Sequence, residues 1–169
     1  MQILALDPGP VQTGWVQYDG TRVIDSGVAA NATVLRCLDQ GGIMRWPNPS
    51  FPLGTTLAIE MIASYGMPVG REVFETCVWI GRFQQTWHDP EAVRLVYRKD
   101  VKLHLCGSPR AKDGNVRQAL IDLFPASGGG ATPQIGTKKQ PGPLYGVSTH
   151  AWPALGVAIT AQHQMGAAA

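Results

Sequence analysis

MQILALDPGPVQTGWV, residues 1–16, joins an apolar run to a turn rich in proline and glycine. The run from Ile3 to Leu6 predicts a buried strand, the turn breaks that strand, and a second strand begins at Gly14. Asp7 therefore ends a strand beside a glycine-containing turn, where the backbone can come close to a ligand. A carboxylate at this position either caps the turn or holds a metal ion, and this stretch alone leaves both interpretations open.

The remaining pattern predicts an α/β domain with the element order β-β-β-α-β-α-β-α-α. An Asp19-Gly20 turn joins the second strand to a third, so the first three strands form an antiparallel meander. Further strands are expected at residues 57–59 and 92–97, and helices at residues 31–40, 69–87, 113–124 and 149–165. Asn31 is the expected N-cap of the first helix. Loops are expected at residues 41–55 and 127–143, and the second is predicted to be flexible and to clamp a substrate.

Length and composition predict one domain, residues 1–169. Charged residues make up 15% of the chain, against about 25% in typical proteins, so much of the surface is neutral and points to a partner or a second copy. Three cysteines without a CxxC pattern predict reduced thiols in a cytoplasmic protein. No apolar run approaches the roughly 20 residues of a membrane-spanning helix, so no membrane association is expected.

Basic residues are concentrated in one part of the chain. Residues 98–139 contain eight Lys and Arg against three Asp, and no charged side chain follows Lys139. Such a region suits a polyanion such as nucleic acid. An ordinary solvated face explains the same pattern equally well, so charge alone does not decide between the two.

Two acidic residues are expected at strand ends, Asp7 after the first strand and Glu60 after the fourth. If these strands are neighbours in the sheet, the two carboxylates come close together and repel. A divalent cation would keep both ionised, and oxygen ligands favour Mg²⁺ or Mn²⁺. His150, in the first turn of the last helix, is a third candidate ligand. Taken singly, the three also fit a turn cap, an exposed strand end and an ordinary helix-start residue.

Several segments, taken in order along the chain, resemble one family. The most specific are Leu6-Asp7-Pro8-Gly9 with Thr13-Gly14, and the segment HAWPALGVAIT that begins at His150. Weaker ones are Ala58-Ile59-Glu60, residues 101–107 and residues 111–116. These segments resemble the RuvC-type Holliday-junction resolvases of the RNase H-like superfamily, and residues 65–83 and 136–147 are more similar to their phage and prophage relatives. The resemblance implies an RNase H-like α/β fold, with a five-stranded mixed sheet flanked by helices and strands 4 and 5 parallel to strand 1.

The same resemblance implies a metal-dependent endodeoxyribonuclease. Such an enzyme works as a homodimer in a bacterial or phage-infected cell and resolves Holliday junctions or related branched DNA. The resemblance matches Asp7 and Glu60 to the first two metal-binding carboxylates of the family and His150 to the third position. It implies two Mg²⁺ or Mn²⁺ ions with Asp7 bridging them, one activating water and the other stabilising the leaving oxygen.

The chain departs from the family pattern at two positions. Where the family has an aspartate three residues after the third ligand, this chain has Pro153. Asp113 stands where the family usually has a lysine, next to Lys112. Our hypothesis is that Asp113 supplies the missing negative charge of the catalytic site, or that the second metal ion is held loosely.

Contacts with DNA are expected from the basic residues, through phosphates. The candidates are Arg71, Arg98, Lys99, Lys102, Arg110, Lys112, Arg117, Lys138 and Lys139. Tyr65, on the loop after Glu60, is expected either to stack on an unpaired base or to pack on the core. The helix at residues 69–87 carries apolar residues on more than one face, so we expect it to contribute to the dimer contact.

Two other functions fit parts of the sequence. The Asp7-Pro8-Gly9 turn followed by Thr13-Gly14 also resembles the opening of actin- and hexokinase-type ATPases, but that fold repeats the motif in a second domain for which this chain is too short. The other alternative is a catalytically impaired relative of the resolvases, which binds branched DNA without cutting it because of Pro153.

Overall fold

The computed structural model describes residues 1–40 and 54–167, so most of the predicted loop at residues 41–55 lies outside the described residues. The strands are β1 (Ile3–Pro8), β2 (Gln12–Tyr18), β3 (Val23–Ala30), β4 (Thr56–Met61) and β5 (Arg94–Tyr97). The helices are α1 (Asn31–Asp39), α2 (Arg71–Thr86), α3 (Arg98–Cys106), α4 (Asp113–Asp122) and α5 (Ala151–Ala167), with a short 3₁₀ turn at Pro90–Ala92. Within the described ranges, no helix has the length and apolar character needed to cross a membrane.

The described strands form one mixed sheet in the order β3-β2-β1-β4-β5. Strand β1 pairs antiparallel with β2 and parallel with β4, and β5 runs parallel to β4. Strands β1 to β3 are the predicted antiparallel meander. The α/β, RNase H-like arrangement of the sheet and its flanking helices is therefore confirmed.

Alternation along the central strands decides which way the acidic side chains face. Ala5 of β1 packs in the core under α3, α4 and α5, whereas Leu6 packs in the core under α1 and α2. Asp7 follows Ala5 by two residues and so lies on the α5 side of the sheet. On β4, Ala58 also belongs to the α5-side core, which puts Glu60 on the same side as Asp7.

Helix α3 is the one described helix that the sequence pattern does not predict. It begins at Arg98 directly after β5, with no turn residue between strand and helix, and Val101 is its only buried residue. A short helix with so small an apolar face gives little periodic signal. Its end is marked by Gly107, which has a left-handed φ of 65° and caps the helix with a backbone hydrogen bond to Leu103.

The glycine- and proline-rich segment at residues 127–143 differs from the predicted flexible loop. It is folded against itself by backbone hydrogen bonds, among them Gly128 N–H to the Pro133 carbonyl at 2.8 Å and Gly142 N–H to the Ile135 carbonyl at 3.0 Å. A Cβ atom at Gly128 or Gly142 would overlap neighbouring backbone. The glycines therefore serve close packing of this segment, which leads into the fully buried Leu144.

Asn31 fixes the turn that follows Asp7 rather than capping α1. The helix has Ala30 at its N-cap, without a side-chain hydrogen bond. The buried Asn31 amide donates to the Gly9 carbonyl at 2.9 Å and accepts from the Thr13 hydroxyl at 2.7 Å. Asn31 thus ties the β1–β2 turn to the start of α1, which holds the backbone next to Asp7.

We expect Asn31→Ala to lower the free energy of unfolding by roughly 1–3 kcal/mol, because it leaves a buried hydroxyl and a carbonyl without their partner. Thr13→Ala removes one of the same hydrogen bonds, so the double variant should lose less than the sum of the two single losses. Urea unfolding of all four proteins measures this coupling. Strictly additive losses would show that the two side chains do not act as a unit.

Candidate metal centre

The carboxyl groups of Asp7 and Glu60 meet at the edge of the sheet. In the parallel pairing of β1 and β4, Leu6 lies opposite Ile59, so Asp7 and Glu60 come next on each strand. Their side chains share a hydrogen bond. The proximity predicted from the strand ends is therefore observed for these two residues.

Burial favours one protonated carboxyl group over two ionised ones in this pair. It raises the pKa of Glu60 to about 9, with the hydrogen bond and the negative charge of Asp7 adding to the rise and Arg98 opposing it. Burial also raises the pKa of Asp7, against the hydrogen bond from Glu60 and the charge of Arg98. At neutral pH the pair thus holds one proton between its two carboxyl groups.

Arg98, the first residue of α3, reaches into the site from the neighbouring strand end. Its Nη1 lies 3.4 Å from Glu60 Oε1, and its Nη2 lies 2.8 Å from Asp113 Oδ1. Lys102 Nζ is 3.6 Å from the same Asp113 oxygen. Asp113 is largely exposed and connects to the buried carboxyl pair through Arg98, whose charge lowers the pKa of Asp113 through their hydrogen bond.

His150 lies at the rim of the same region. Asp7 and His150 line one cavity of about 490 Å³. Gly14 lies opposite Asp7 in the β1–β2 pairing, and a Cβ there would overlap the backbone of His150. The missing side chain at Gly14 thus lets the segment that precedes α5 sit close to the sheet beside Asp7.

A second cavity of about 420 Å³ is lined by Asp7, Glu60, Tyr65, Arg98 and Pro153, among others. Tyr65 is 61% exposed and has a φ of 48°, so the interpretation of Tyr65 as a core residue is wrong. Pro153 forms part of the wall, and its side chain offers no oxygen or nitrogen ligand. Across residues 1–40 and 54–167, no three His, Cys, Asp or Glu side chains lie close enough together to hold a metal ion.

The predicted DNA-binding cations fall into two groups. Some are engaged within the protein: Arg98 as above, Lys102 with Asp113, Arg71 with Glu75 at 2.6 Å, and Arg117 stacked 4.7 Å from the Trp152 ring centroid. The others are exposed on α3, on α4 or its approach, and in the folded segment, namely Lys99, Arg110, Lys112, Lys138 and Lys139.

The pairing of Arg98 with Glu60 is the part of the site that sequence reasoning missed. The basic stretch that Arg98 opens predicts a contact with DNA, and nothing in the local pattern links Arg98 to a carboxylate 38 positions earlier. The position of Arg98 directly after β5 is the sequence feature from which this contact could be predicted. Because β5 runs parallel beside β4, a residue at its end lies next to the residue that ends β4.

The donor set fits a hard divalent cation. Two carboxyl groups, one largely buried and one at a cavity wall, share a proton that a cation would replace, and oxygen ligands suit Mg²⁺ or Mn²⁺. The residues able to hold such an ion are Asp7 and Glu60, with the His150 imidazole across the adjoining cavity.

No protein-family model matches the chain, and no curated protein sequence matches it either. Among solved structures, the chain is similar to Thermus thermophilus RuvC, with 18% identity, a TM-score of 0.60 and coverage of 98% of this chain and 97% of that one. It is also similar to the structure of T. thermophilus RuvC in complex with Holliday junction substrate, with 19% identity, a TM-score of 0.61 and coverage of 98% and 96%. At this identity the likeness establishes a RuvC-like fold over nearly the whole chain.

We expect Glu60→Gln to raise the stability of the metal-free protein at pH 8 by roughly 1–3 kcal/mol. The folded-state pKa of Glu60, about 9, lies above its unfolded value of about 4.3, so its contribution to stability is complete below the unfolded pKa and is lost as pH rises toward the folded one. Gln keeps a neutral hydrogen-bonding group at every pH. Thermal unfolding in a chelator from pH 5 to 9 should therefore show a smaller decline for the variant.

The exposed Glu91 provides the matched control, since Glu91→Gln removes the same charge from the surface. This control should follow the wild-type pH profile. A Glu60→Gln profile parallel to that of the wild type would show that the carboxyl pair does not share its proton as described.

Proposed function

We propose that this protein is a structure-selective DNA endonuclease that resolves Holliday junctions or related branched DNA by divalent-metal-dependent phosphodiester hydrolysis. The observation that carries the proposal is the hydrogen-bonded Asp7–Glu60 carboxyl pair at the shared edge of β1 and β4, in a fold that T. thermophilus RuvC also has. Supporting it are Arg98, which lines the cavity beside the pair, and Lys102, which pairs with Asp113 next to Arg98.

The residues of the chain have distinct roles in this proposal. Asp7 and Glu60 would hold Mg²⁺ or Mn²⁺, and His150 would add a neutral imidazole nitrogen from the rim of the cavity. The chemistry that bound Mg²⁺ supplies in such a site is activation of water and stabilisation of the leaving oxygen. Arg98, facing the same cavity, would bind a nonbridging oxygen of the scissile phosphate.

DNA would lie across the side of the molecule that carries the basic residues. Lys99 lies on α3, Arg110 and Lys112 lie on the segment between α3 and α4, and Arg98 joins that surface to the carboxyl pair. Contacts of this type give affinity and orientation without sequence preference. Tyr65, exposed at the cavity that Glu60 also lines, would stack on a base that is unpaired at a branch point.

A homodimer is part of the proposal. Helix α2 exposes Phe74 at 62% and Val78 at 61%, one helical turn apart on the same face. Met67, on the loop before α2, is 71% exposed. An apolar strip of this kind fits a contact with the same helix of a second copy, which would give the two cutting sites that a four-way junction requires.

Pro153 favours a second candidate function, recognition of branched DNA without cleavage. It lies in the wall of the cavity shared by Asp7, Glu60 and Arg98, and it provides no ligand there. The pKa of Glu60 near 9 means that a cation must displace a proton in order to bind. A protein with such a site would retain its DNA-binding surface without hydrolysing DNA.

A cleavage assay separates the two candidates. A synthetic four-way junction, a fork and a linear duplex are each incubated with the purified protein and either Mg²⁺ or Mn²⁺. We expect nicking of the branched substrates, with Asp7→Asn lowering the rate by about 100-fold or more because it removes a carboxylate from the charged site. Asp39→Asn, at the exposed end of α1, should cut as the wild type does.

Binding to the junction without nicking under either metal would favour the binding relative. Absence of both binding and nicking would contradict both functions. Cleavage by Asp7→Asn at the wild-type rate would place the chemistry elsewhere in the molecule.

We also expect Tyr65→Ala to weaken binding of the four-way junction by about 1–3 kcal/mol, because it removes an aromatic face available to an unpaired base. Tyr65→Phe keeps the ring and should bind within a factor of about two of the wild type. Gel shifts in a chelator measure affinity without cleavage. Equal losses for the two variants would indicate that the hydroxyl group, and not stacking, contributes the binding energy.

A further inference from the structure

Arg98 is held beside the carboxyl pair by two ion pairs. Its guanidinium contacts Glu60 on one side, at 3.4 Å, and Asp113 on the other, at 2.8 Å. Its side chain is 29% exposed, so it is largely withdrawn from solvent. The three residues come from α3, β4 and α4, which makes the guanidinium a fixed part of the site and not a mobile surface charge.

From this arrangement we infer that Arg98 is a resident cation that takes the place of a second metal ion, so that each chain binds a single divalent ion at Asp7 and Glu60. The inference rests on the proposed nuclease function and specifies its cofactor requirement. It replaces the two ions that the family resemblance implies with one ion and one guanidinium.

The charges of the site support a single ion. When ionised, the acidic groups Asp7, Glu60 and Asp113 carry one more charge than the basic groups Arg98 and Lys102 supply. One divalent ion together with one phosphodiester then brings the site to neutrality. A second divalent ion would leave two positive charges unbalanced next to the Arg98 guanidinium.

The ligand atoms that the cavity offers also support a single ion. The cavity beside Glu60 has Pro153 in its wall, at a position where α5 offers no oxygen donor. One of the two carboxyl oxygens of Glu60, Oε1, already faces the Arg98 guanidinium.

A guanidinium and a metal ion differ in what they provide. Arg98 can donate two parallel hydrogen bonds to a phosphate and offset its charge, and it stays protonated throughout the physiological pH range. It cannot coordinate a water molecule for attack. Activation of water would therefore depend on the single ion, while Arg98 orients the scissile phosphate and balances its charge.

The test is a titration of the metal-free protein with Mn²⁺ alone, with bound and free ion separated by electron paramagnetic resonance. We expect one Mn²⁺ per chain in the wild type. Arg98→Gln should bind its ion at least about fivefold tighter, because a positive charge next to the site is gone. Arg98→Lys keeps the charge and should bind within about twofold of the wild type.

The exposed Arg94 of β5 provides a control for the loss of an arginine from the same strand-to-helix region. Arg94→Gln should titrate as the wild type does, and thermal unfolding confirms that each variant is folded. Should Arg98→Gln fail to fold, the wild-type stoichiometry and Arg98→Lys still decide the matter.

Two ions per wild-type chain would overturn the role of Arg98 and leave the nuclease proposal standing. A gain in affinity below about fivefold in Arg98→Gln, or an equal gain in Arg98→Lys, would also overturn it. No measurable Mn²⁺ on any variant would contradict the metal site itself, and with it the proposed function.

Discussion

Burial of two acidic side chains against each other is the constraint on which the rest of the site depends. Asp7 and Glu60 are the last residues but one of the adjacent parallel strands β1 and β4, and two ionised carboxylates this close are unstable without a cation. In the metal-free protein, a shared proton and the guanidinium of Arg98 offset this repulsion. The fold thus brings together two carboxyl groups that can both be ionised only when a cation binds beside them. This is the property expected of a metal-binding site.

The surroundings of the pair hold it in place from three sides. Asn31 fixes the turn after β1 through hydrogen bonds to Gly9 and Thr13. Gly14, opposite Asp7, makes room for the backbone that leads into α5. On the far side, α3 starts at the end of β5 and directs Arg98 at Glu60. These supports are not ligands, yet each determines where a ligand atom can be.

The strand ends could be placed from the local pattern, whereas contacts that depend on the order of the strands in the sheet could not. The apolar runs before Asp7 and Glu60 predict that both carboxyl groups lie near strand ends, and the two meet because β1 and β4 pair in parallel. The sequence pattern does not predict helix α3, because the helix buries only Val101 and so lacks an apolar periodicity. The contact between Arg98 and Glu60 depends on the order of the strands in the sheet, which the local sequence pattern does not contain. The segment at residues 127–143 has the glycine-rich composition of a flexible loop, although its glycines are closely packed.

The most direct test of the carboxyl pair as a metal site is anomalous diffraction from crystals soaked in Mn²⁺. We expect an anomalous peak at coordination distance, about 2.0–2.6 Å, from oxygen atoms of both Asp7 and Glu60. A crystal in which the two carboxyl groups keep their mutual hydrogen bond at millimolar Mn²⁺, with no peak between them, would contradict it.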